Sequence, residues 1–270
     1  MDNALGDFLR ARRELVTPAE VSLPPGVGPR RVPGLRREEV AMLAGISAEY
    51  YLRLERGRDR SPSGQVIEAL ARVLQLDGEG ADYLMALAQP RLRRRPEGQP
   101  EQVPRSIELL LATINVPALV FNRYSDVLAA NPLARELSPD MLPGVNRLRM
   151  LFTDSVARDY HPDWERYTAA AVAHLRAQAG AGTQDERLHD LIDELSRESE
   201  RFRQLWARHD VRMATGGEFV IRHPRVGDVT LLIDKFAVIG ADGLEALLLH
   251  AEPGTPSADA LATLAALVSR

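Results

Sequence analysis

Apolar positions in the first third of the chain recur at helical spacing. Leu5, Phe8 and Leu9 mark a helix over 4–13. Further helices are predicted at 36–44 (Val40, Ala41, Ala44), 47–56, 63–74 (Val66, Ala69, Leu70, Val73) and 79–88 (Tyr83, Leu84, Leu87). A Pro- and Gly-rich loop separates the first two, longer than so small a bundle usually carries. The pattern changes after residue 105. A stripe at Ile107, Leu110, Leu111 and Ile114 predicts one more helix, then strands at 118–121 and 126–130 flank a turn at 122–125. Asn131-Pro132 reads as a cap and first turn. Two long helices follow, at 162–179 and 186–209, and then three strand-like runs at 211–221, 228–236 and 244–251. Between the two regimes lies "PRLRRRPEGQPEQVPRS", which has four prolines and no apolar period; that is linker composition. The chain therefore divides into an all-α five-helix domain over 1–90, a linker over 91–104, and an α+β domain over 105–270. The second domain's antiparallel sheet is expected to be covered on one side by helices.

The stretch "LRREEVAMLAGISAEYYLRLERG" carries the first chemistry. Gly45 sits where the chain must turn through a left-handed conformation that glycine adopts cheaply. Ser47 is placed to cap the next helix, and Ala41 is small where two helices must cross. This is the grammar of a helix-turn-helix. On a wheel of about 100° per residue, Tyr51 and Leu54 face the bundle while Ala48, Glu49 and Arg53 face away, with Tyr50 on their flank. Arginine can read guanine, glutamate the amino group of cytosine, and alanine a thymine methyl. Arg37, Ser47, Tyr50, Arg56 and Arg58 are placed for phosphates, which position without specifying. Leu52 falls awkwardly on the outward side.

Charge adds modest support. The net charge is −4, but residues 1–95 hold 16 Arg against 13 Asp+Glu (+3), and residues 96–270 hold 18 cations against 25 acids (−7). Lys235 is the single lysine. With no cysteine, disulfides, thiolate metal sites and a cysteine nucleophile are excluded. No apolar run reaches the ~20 residues of a membrane span, and the amphipathic first helix is unlike a signal peptide, so a cytoplasmic protein without membrane contact is expected. The six histidines lack metal-ligand spacing, and no nucleophile elbow or phosphate loop occurs. No catalytic or metal site and no cofactor is expected. Haem on His209 or His223 is a weaker reading than a structural role for each.

The helix-turn-helix stretch resembles the XRE type of phage repressors (lambda-repressor-like), with Arg36 and Arg37 standing where that type often has Thr and Gln. The later element order is similar to a PAS sensor domain. Together with "VFNRYSDVLAANPLA", "FRQLWARHDV", "HPRVGDVTL" and "AEPGTPSADAL", the chain resembles the MmyB-like transcription regulators over nearly its whole length. The resemblance implies an operator-binding domain joined to a PAS-like domain that holds a fatty-acid-like small molecule. In such a domain the ligand candidates are Phe121, Arg123, Tyr124, Asn131, Phe152, Trp206, His209 and Phe219. The phenylalanines also suit plain core packing, Asn131 is first a helix cap, and Arg123 suits a solvated turn. One helix-turn-helix makes few contacts, so a homodimer reading two half-sites of double-stranded DNA is expected. The alternatives for the second domain are a protein-interaction or dimerisation module, or an enzyme.

Overall fold

In the computed structural model, residues 3–23, 33–59, 61–88, 101–179, 185–211, 216–241 and 243–268 are described. Parts of the expected loop (24–32), linker (91–100) and third strand (212–215) lie outside them. The chain divides into two compact units: 1–94 with 176–186 and 204–213, and 95–175 with 187–203 and 214–270.

The first unit is built on five helices, α1 (Ala4–Leu15), α2 (Arg37–Ala44), α3 (Ala48–Glu55), α4 (Gly64–Val73) and α5 (Gly78–Ala88). Each turns its periodic apolar face inward. Leu9, Leu35, Val40, Tyr51, Leu54 and Leu74 are fully buried, and Phe8, Ile67, Leu70 and Leu84 are nearly so. Each such side chain stabilises the bundle by roughly 1.5–3 kcal/mol relative to exposure. The ring of Phe8 meets Tyr83 edge-on at 5.2 Å and His209 at 6.4 Å. Gly6 allows α1 to close on the end of α3, since a Cβ there would lie 2.2 Å from the Glu55 carbonyl oxygen.

The second unit holds α6 (Arg105–Thr113), β1 (Ala118–Asn122), β2 (Val127–Ala130), α7 (Pro132–Leu137), a 3-10 turn (Pro139–Met141), α8 (Arg147–Thr153) and α9 (Val156–Tyr160). Helix α10 (Trp164–Ala179), α11 (Glu186–Glu198), α12 (Glu200–Ala207), β3 (Gly216–His223), β4 (Gly227–Ala237), β5 (Leu244–His250) and α13 (Pro256–Val268) follow, the last residues of α10 and α12 being counted with the first unit. The five strands form one antiparallel sheet in the order β2-β1-β5-β4-β3. Register places Leu119 opposite Leu247, Lys235 opposite Leu247, Phe121 opposite Glu245, and Phe219 opposite Leu231. Because side chains alternate across a strand, these residues share one face, packed with Leu133, Leu137, Met141, Leu261 and Leu264.

The structure corrects several sequence expectations. The helix expected over 186–209 is two helices. Ser199 interrupts it, its hydroxyl accepting from the Phe202 N–H (3.2 Å) as a cap for the second. Periodicity continues through the break and hides it. Helix α13 has no counterpart among the expected elements. It opens at Thr255-Pro256, with the Thr255 hydroxyl accepting from the Ala258 N–H, and buries Leu261 and Leu264. The sheet carries helices on both faces, since Leu111 of α6 packs with Ala118, Val120 and Leu244 on the opposite side.

Candidate nucleic-acid interface and sheet-face site

The corner between α2 and α3 closes as its residues dictate. Gly45 takes φ 68°, ψ 30°, its N–H donating to the Met42 carbonyl (3.2 Å) while the Ile46 N–H reaches back to Ala41 (3.0 Å). The Ser47 hydroxyl accepts from the Tyr50 N–H at 3.1 Å. At the start of α2, Arg36 offers no side-chain acceptor, but Glu39 folds back onto the Arg36 N–H at 2.6 Å, supplying the half of a capping box that an arginine cannot.

With Tyr51 and Leu54 fully buried, the other side of α3 leaves Ala48, Glu49 and Arg53 exposed, with Tyr50 and Leu52 half-buried. The Arg53 guanidinium lies 5.3 Å from the Tyr50 ring centre and 3.9 Å from Asp59. Arg56 and Arg58 are exposed just beyond. Arg37 is 45% exposed and donates from Nε to Glu55 Oε2 at 2.5 Å. Glu55 itself is buried, and its other oxygen accepts from Arg13 Nε at 2.6 Å. Arg13 also donates to the Leu35 carbonyl (3.0 Å). Glu55 is not among the residues the sequence singles out. The same helical wheel sets it about 340° from Ala48, between Tyr51 and the outward edge, so its inward lean is readable there.

In the second unit, polar groups gather on the sheet face shared by Phe121 and Phe219. Arg147 donates from Nε to Asp140 Oδ2 (3.2 Å) and from Nη2 to the Tyr167 hydroxyl (2.5 Å). The Ser138 hydroxyl donates to the other Asp140 oxygen, and His161 Nε2 stands 3.9 Å from it. The rings of His161, Tyr167 and Phe219 pack on one another at 4.7–5.4 Å. Burial alone would raise the Asp140 carboxyl, but the charges of Arg147 and His161 and the bonds from Ser138 and Arg147 outweigh it and hold it below its ordinary value. Burial lowers His161. The Arg147 guanidinium and the Lys235 ammonium each lie 5.7 Å from the Phe121 ring centre. Burial, aided by Arg147 and opposed by Glu245, lowers the Lys235 amine to about 8. Glu245 in turn meets His174 Nε2 at 3.1 Å. Among the described residues neither His161 Nδ1 nor His174 Nδ1 has a hydrogen-bond partner.

Of the residues expected to meet a ligand, Phe121 and Phe219 are brought to this face. Phe152 packs edge-on against Phe202 (5.1 Å). Arg123 and Tyr124 occupy the turn between β1 and β2, where the Tyr124 ring has the guanidinium groups of Arg123 and Arg187 at 5.5 and 4.4 Å. Asn131 caps α7 through Ala134 (2.9 Å) and also bonds Ala118 and Val116. Trp206 and His209 belong to the other unit. There the Arg176 guanidinium stacks 3.7 Å from the Trp206 ring centre and contacts His209 Nδ1 at 3.1 Å. Burial and the charges of Arg176, Arg10 and Arg12 lower His209 to about 3. Arg147, Tyr167, His161, Asp140 and Lys235 are not singled out by the sequence. For Lys235 a signal exists: it continues the inward alternation Val229, Leu231, Ile233 as a lone lysine.

The polar cluster lies on the face of a 2-1-5-4-3 sheet, and that domain matches a family model described as the MmyB-like transcription regulator ligand binding domain, over residues 103–264. A helix-turn-helix domain model matches residues 4–84. The chain belongs to the MmyB-like transcription regulators. No curated protein sequence matches it. As an MmyB-like regulator it is a DNA-binding transcription factor with a ligand-sensing domain. Among the described residues no helix is long and apolar enough to cross a membrane, and no cluster of three or more acids and histidines is arranged to hold a metal ion.

Proposed function

We propose that this regulator reads an operator in the cytoplasm through the exposed side of α3, with Ala48, Glu49 and Arg53 at base edges. Arg37, Ser47, Tyr50, Arg56 and Arg58 hold the flanking phosphates. The observation that carries this is the exposure of Ala48, Glu49 and Arg53 on a helix whose opposite side, Tyr51 and Leu54, is sealed in the core. Two copies bind two half-sites about one helical turn (~34 Å) or a multiple apart, since eight residues of one helix make too few contacts alone.

The second unit binds a fatty-acid-like amphipathic acid and does no chemistry on it. Lys235 supports this reading: its half-buried amine lies beside the Phe121 ring and is lowered by burial even though the charge of Glu245 opposes that shift, and a partly desolvated cation needs a close anion. An acid head group at Lys235 and Arg147, with its apolar part against Phe121 and Phe219, satisfies that need. Binding favours one arrangement of the two copies and so sets the spacing of their recognition helices.

Genomic fragments selected with purified protein, in the presence and absence of a cell lipid extract, test both halves. A shared inverted repeat whose enrichment changes with lipid is expected. Arg53→Ala should relax preference at one base pair, costing roughly 1–3 kcal/mol there, whereas Arg37→Ala should weaken all sequences alike. Equal losses of both kinds in both variants contradict the assignment. Mass spectrometry of the purified protein should find a co-purifying acid in unaltered form; a recovered turnover product points to an enzyme instead.

A further inference from the structure

We propose that Glu55 is a positioning residue for DNA binding: through Arg37 it fixes the guanidinium that meets a phosphate, while Arg13 removes the charge penalty of having a carboxylate there. The inference rests on the operator-reading assignment made under Proposed function and adds to it a residue that touches no DNA.

Three side chains make the case. The Glu55 carboxylate is 2% exposed, Arg13 is 6% exposed, and Arg37 is 45% exposed. Each carboxylate oxygen is taken by a different arginine, Oε1 by Arg13 Nε at 2.6 Å and Oε2 by Arg37 Nε at 2.5 Å. Arg37 spends only its Nε on Glu55, so both Nη groups, the fork that matches a phosphate, are left on a side chain that is 45% exposed. Among the described residues Arg37 has no other hydrogen-bond or ion-pair partner.

The charge count decides whether this helps or hinders. A glutamate paired with Arg37 alone would cancel its charge and repel a phosphate approaching the same group. Here the Glu55 carboxylate is already matched by buried Arg13, so Arg13, Glu55 and Arg37 together carry +1. Arg13 Nη2 also meets Glu14 at 3.3 Å, but that carboxylate is 58% exposed and screened by water, and the cation of the three that faces solvent is Arg37. Burial of Arg13 lowers its pKa by itself, but the hydrogen bond and charge of Glu55 more than restore it. Arg13 is anchored on Leu35, and the Glu55 carbonyl accepts from Asn3 Nδ2 at 2.7 Å. The backbone of Glu55 is thus held by Asn3 and its carboxylate by the anchored Arg13. A flexible arginine at the first turn of α2 is turned into a preorganised donor, and the ordering cost is met before DNA arrives.

The test uses the full chain and a fragment recovered in the genomic selection. Affinity is measured across a salt series for wild type, Glu55→Gln, Arg37→Ala and the double variant, with thermal unfolding alongside. Arg37→Ala is expected to weaken binding about tenfold at low salt and to flatten the salt slope by about 0.9. Glu55→Gln is expected to weaken binding by a similar factor in the wild-type background and by less than about twofold once Arg37 is alanine, because its effect passes through that residue. Losses that multiply in the double variant overturn the proposal, as does Glu55→Gln binding as well as wild type. Arg37→Lys, at an exposed position that does not threaten folding, supplies a second readout. The ammonium keeps the charge and loses the fork, so the salt slope should stay and most of the affinity should go; binding equal to wild type overturns the proposal. If wild type selects no DNA at all, the operator-reading assignment has failed rather than the role of Glu55.

Discussion

Replacing Asp140 by asparagine asks what the polar cluster in the ligand domain is for. The side chain keeps its shape and can still accept a bond from Arg147 Nε, but the charge that balances the guanidinium is gone. Asp140 is 3% exposed and the Arg147 side chain 13%, so water cannot make good the loss. Breaking a buried pair by removing one partner costs about 3–5 kcal/mol. The retained bond and the Tyr167 hydroxyl place this case near the lower end. For a domain of this size each kcal/mol moves Tm by roughly 2–4 °C, giving a fall of about 6–12 °C for a loss near 3 kcal/mol. Near-ultraviolet circular dichroism of the full chain, which reports the rings of Tyr167 and Phe219, is the assay. A long-chain carboxylate should then stabilise Asp140→Asn more than it does wild type, because Arg147 has lost its own anion. At a hundred times Kd the gain reaches about 2.7 kcal/mol, close to full recovery. A double variant, Asp140→Leu with Arg147→Met, should fold with near wild-type stability, since an apolar replacement of a buried pair is often neutral or better, and should gain less from the acid than Asp140→Asn does, with Lys235 alone left to meet it. A Tm within about 2 °C of wild type for Asp140→Asn would refute the reasoning, because it would mean that Arg147 does not depend on this carboxylate.

Acid should weaken the same domain in two windows. His161 is held below its reference value of 6.5, so the stability it contributes is complete above 6.5 and is lost as pH falls through its folded value. Asp140 is held below 3.8, so its contribution is complete above 3.8 and is lost only as pH falls further; urea unfolding at about pH 7.5, 5.5, 4 and 2.5 measures both windows. In alkali, Lys235 is lowered from 10.5 to about 8, so stability should climb between pH 8 and 10.5. Lys235→Met should abolish that climb, raise Tm at pH 7 and lose the acid ligand; a variant that keeps ligand affinity contradicts the head-group assignment. Gly45→Ala meets no atom within 4 Å, so its cost is the left-handed backbone alone, about 1–2 kcal/mol by chemical denaturation of the helical unit. Ser47→Ala should cost about 1 kcal/mol and show it in the same measurement.

The parts that sequence discloses are those governed by nearest neighbours. The glycine corner, the Ser47 cap and the inward pair Tyr51 and Leu54 follow from helical period and backbone rules, which act within a few residues. Strands β1, β4 and β5 are visible for the same reason. Pairings across long separations are not: Arg13 with Glu55, Arg147 with Tyr167, and Lys235 with Phe121 and Glu245 depend on how elements meet. Other features are local and legible in principle. Ser199 has a cap residue's chemistry inside an unbroken apolar stripe, and Thr255-Pro256 before Leu261 and Leu264 is a helix start by ordinary capping rules. Trp206 and His209 have the spacing of one helix face, but α12 ends at Ala207 and His209 lies beyond it at φ 54°; spacing shows neither that end nor which body the pair joins.

Both units settle a buried carboxylate in a related way. Glu55 is divided between Arg13 and Arg37; Asp140 is divided between Arg147 and Ser138, with His161 beyond. In the helical unit two arginines flank one carboxylate, which leaves Arg37 able to attract an anion; in the ligand domain Asp140 balances Arg147 one to one, because burial holds His161 below its ordinary value, and Lys235 is the further cation on that face. Arg37 is exposed, which suits a phosphate arriving from water. In the ligand domain the cations are half-buried against Phe121, which suits an acid that brings an apolar body of its own. The difference in burial has a measurable consequence. Screening acts on exposed charges and much less on buried ones, so raising salt from 50 to 200 mM should cut DNA affinity by orders of magnitude while moving the acid's affinity only slightly. A steep salt dependence of the acid would place its head group at the surface and away from Lys235.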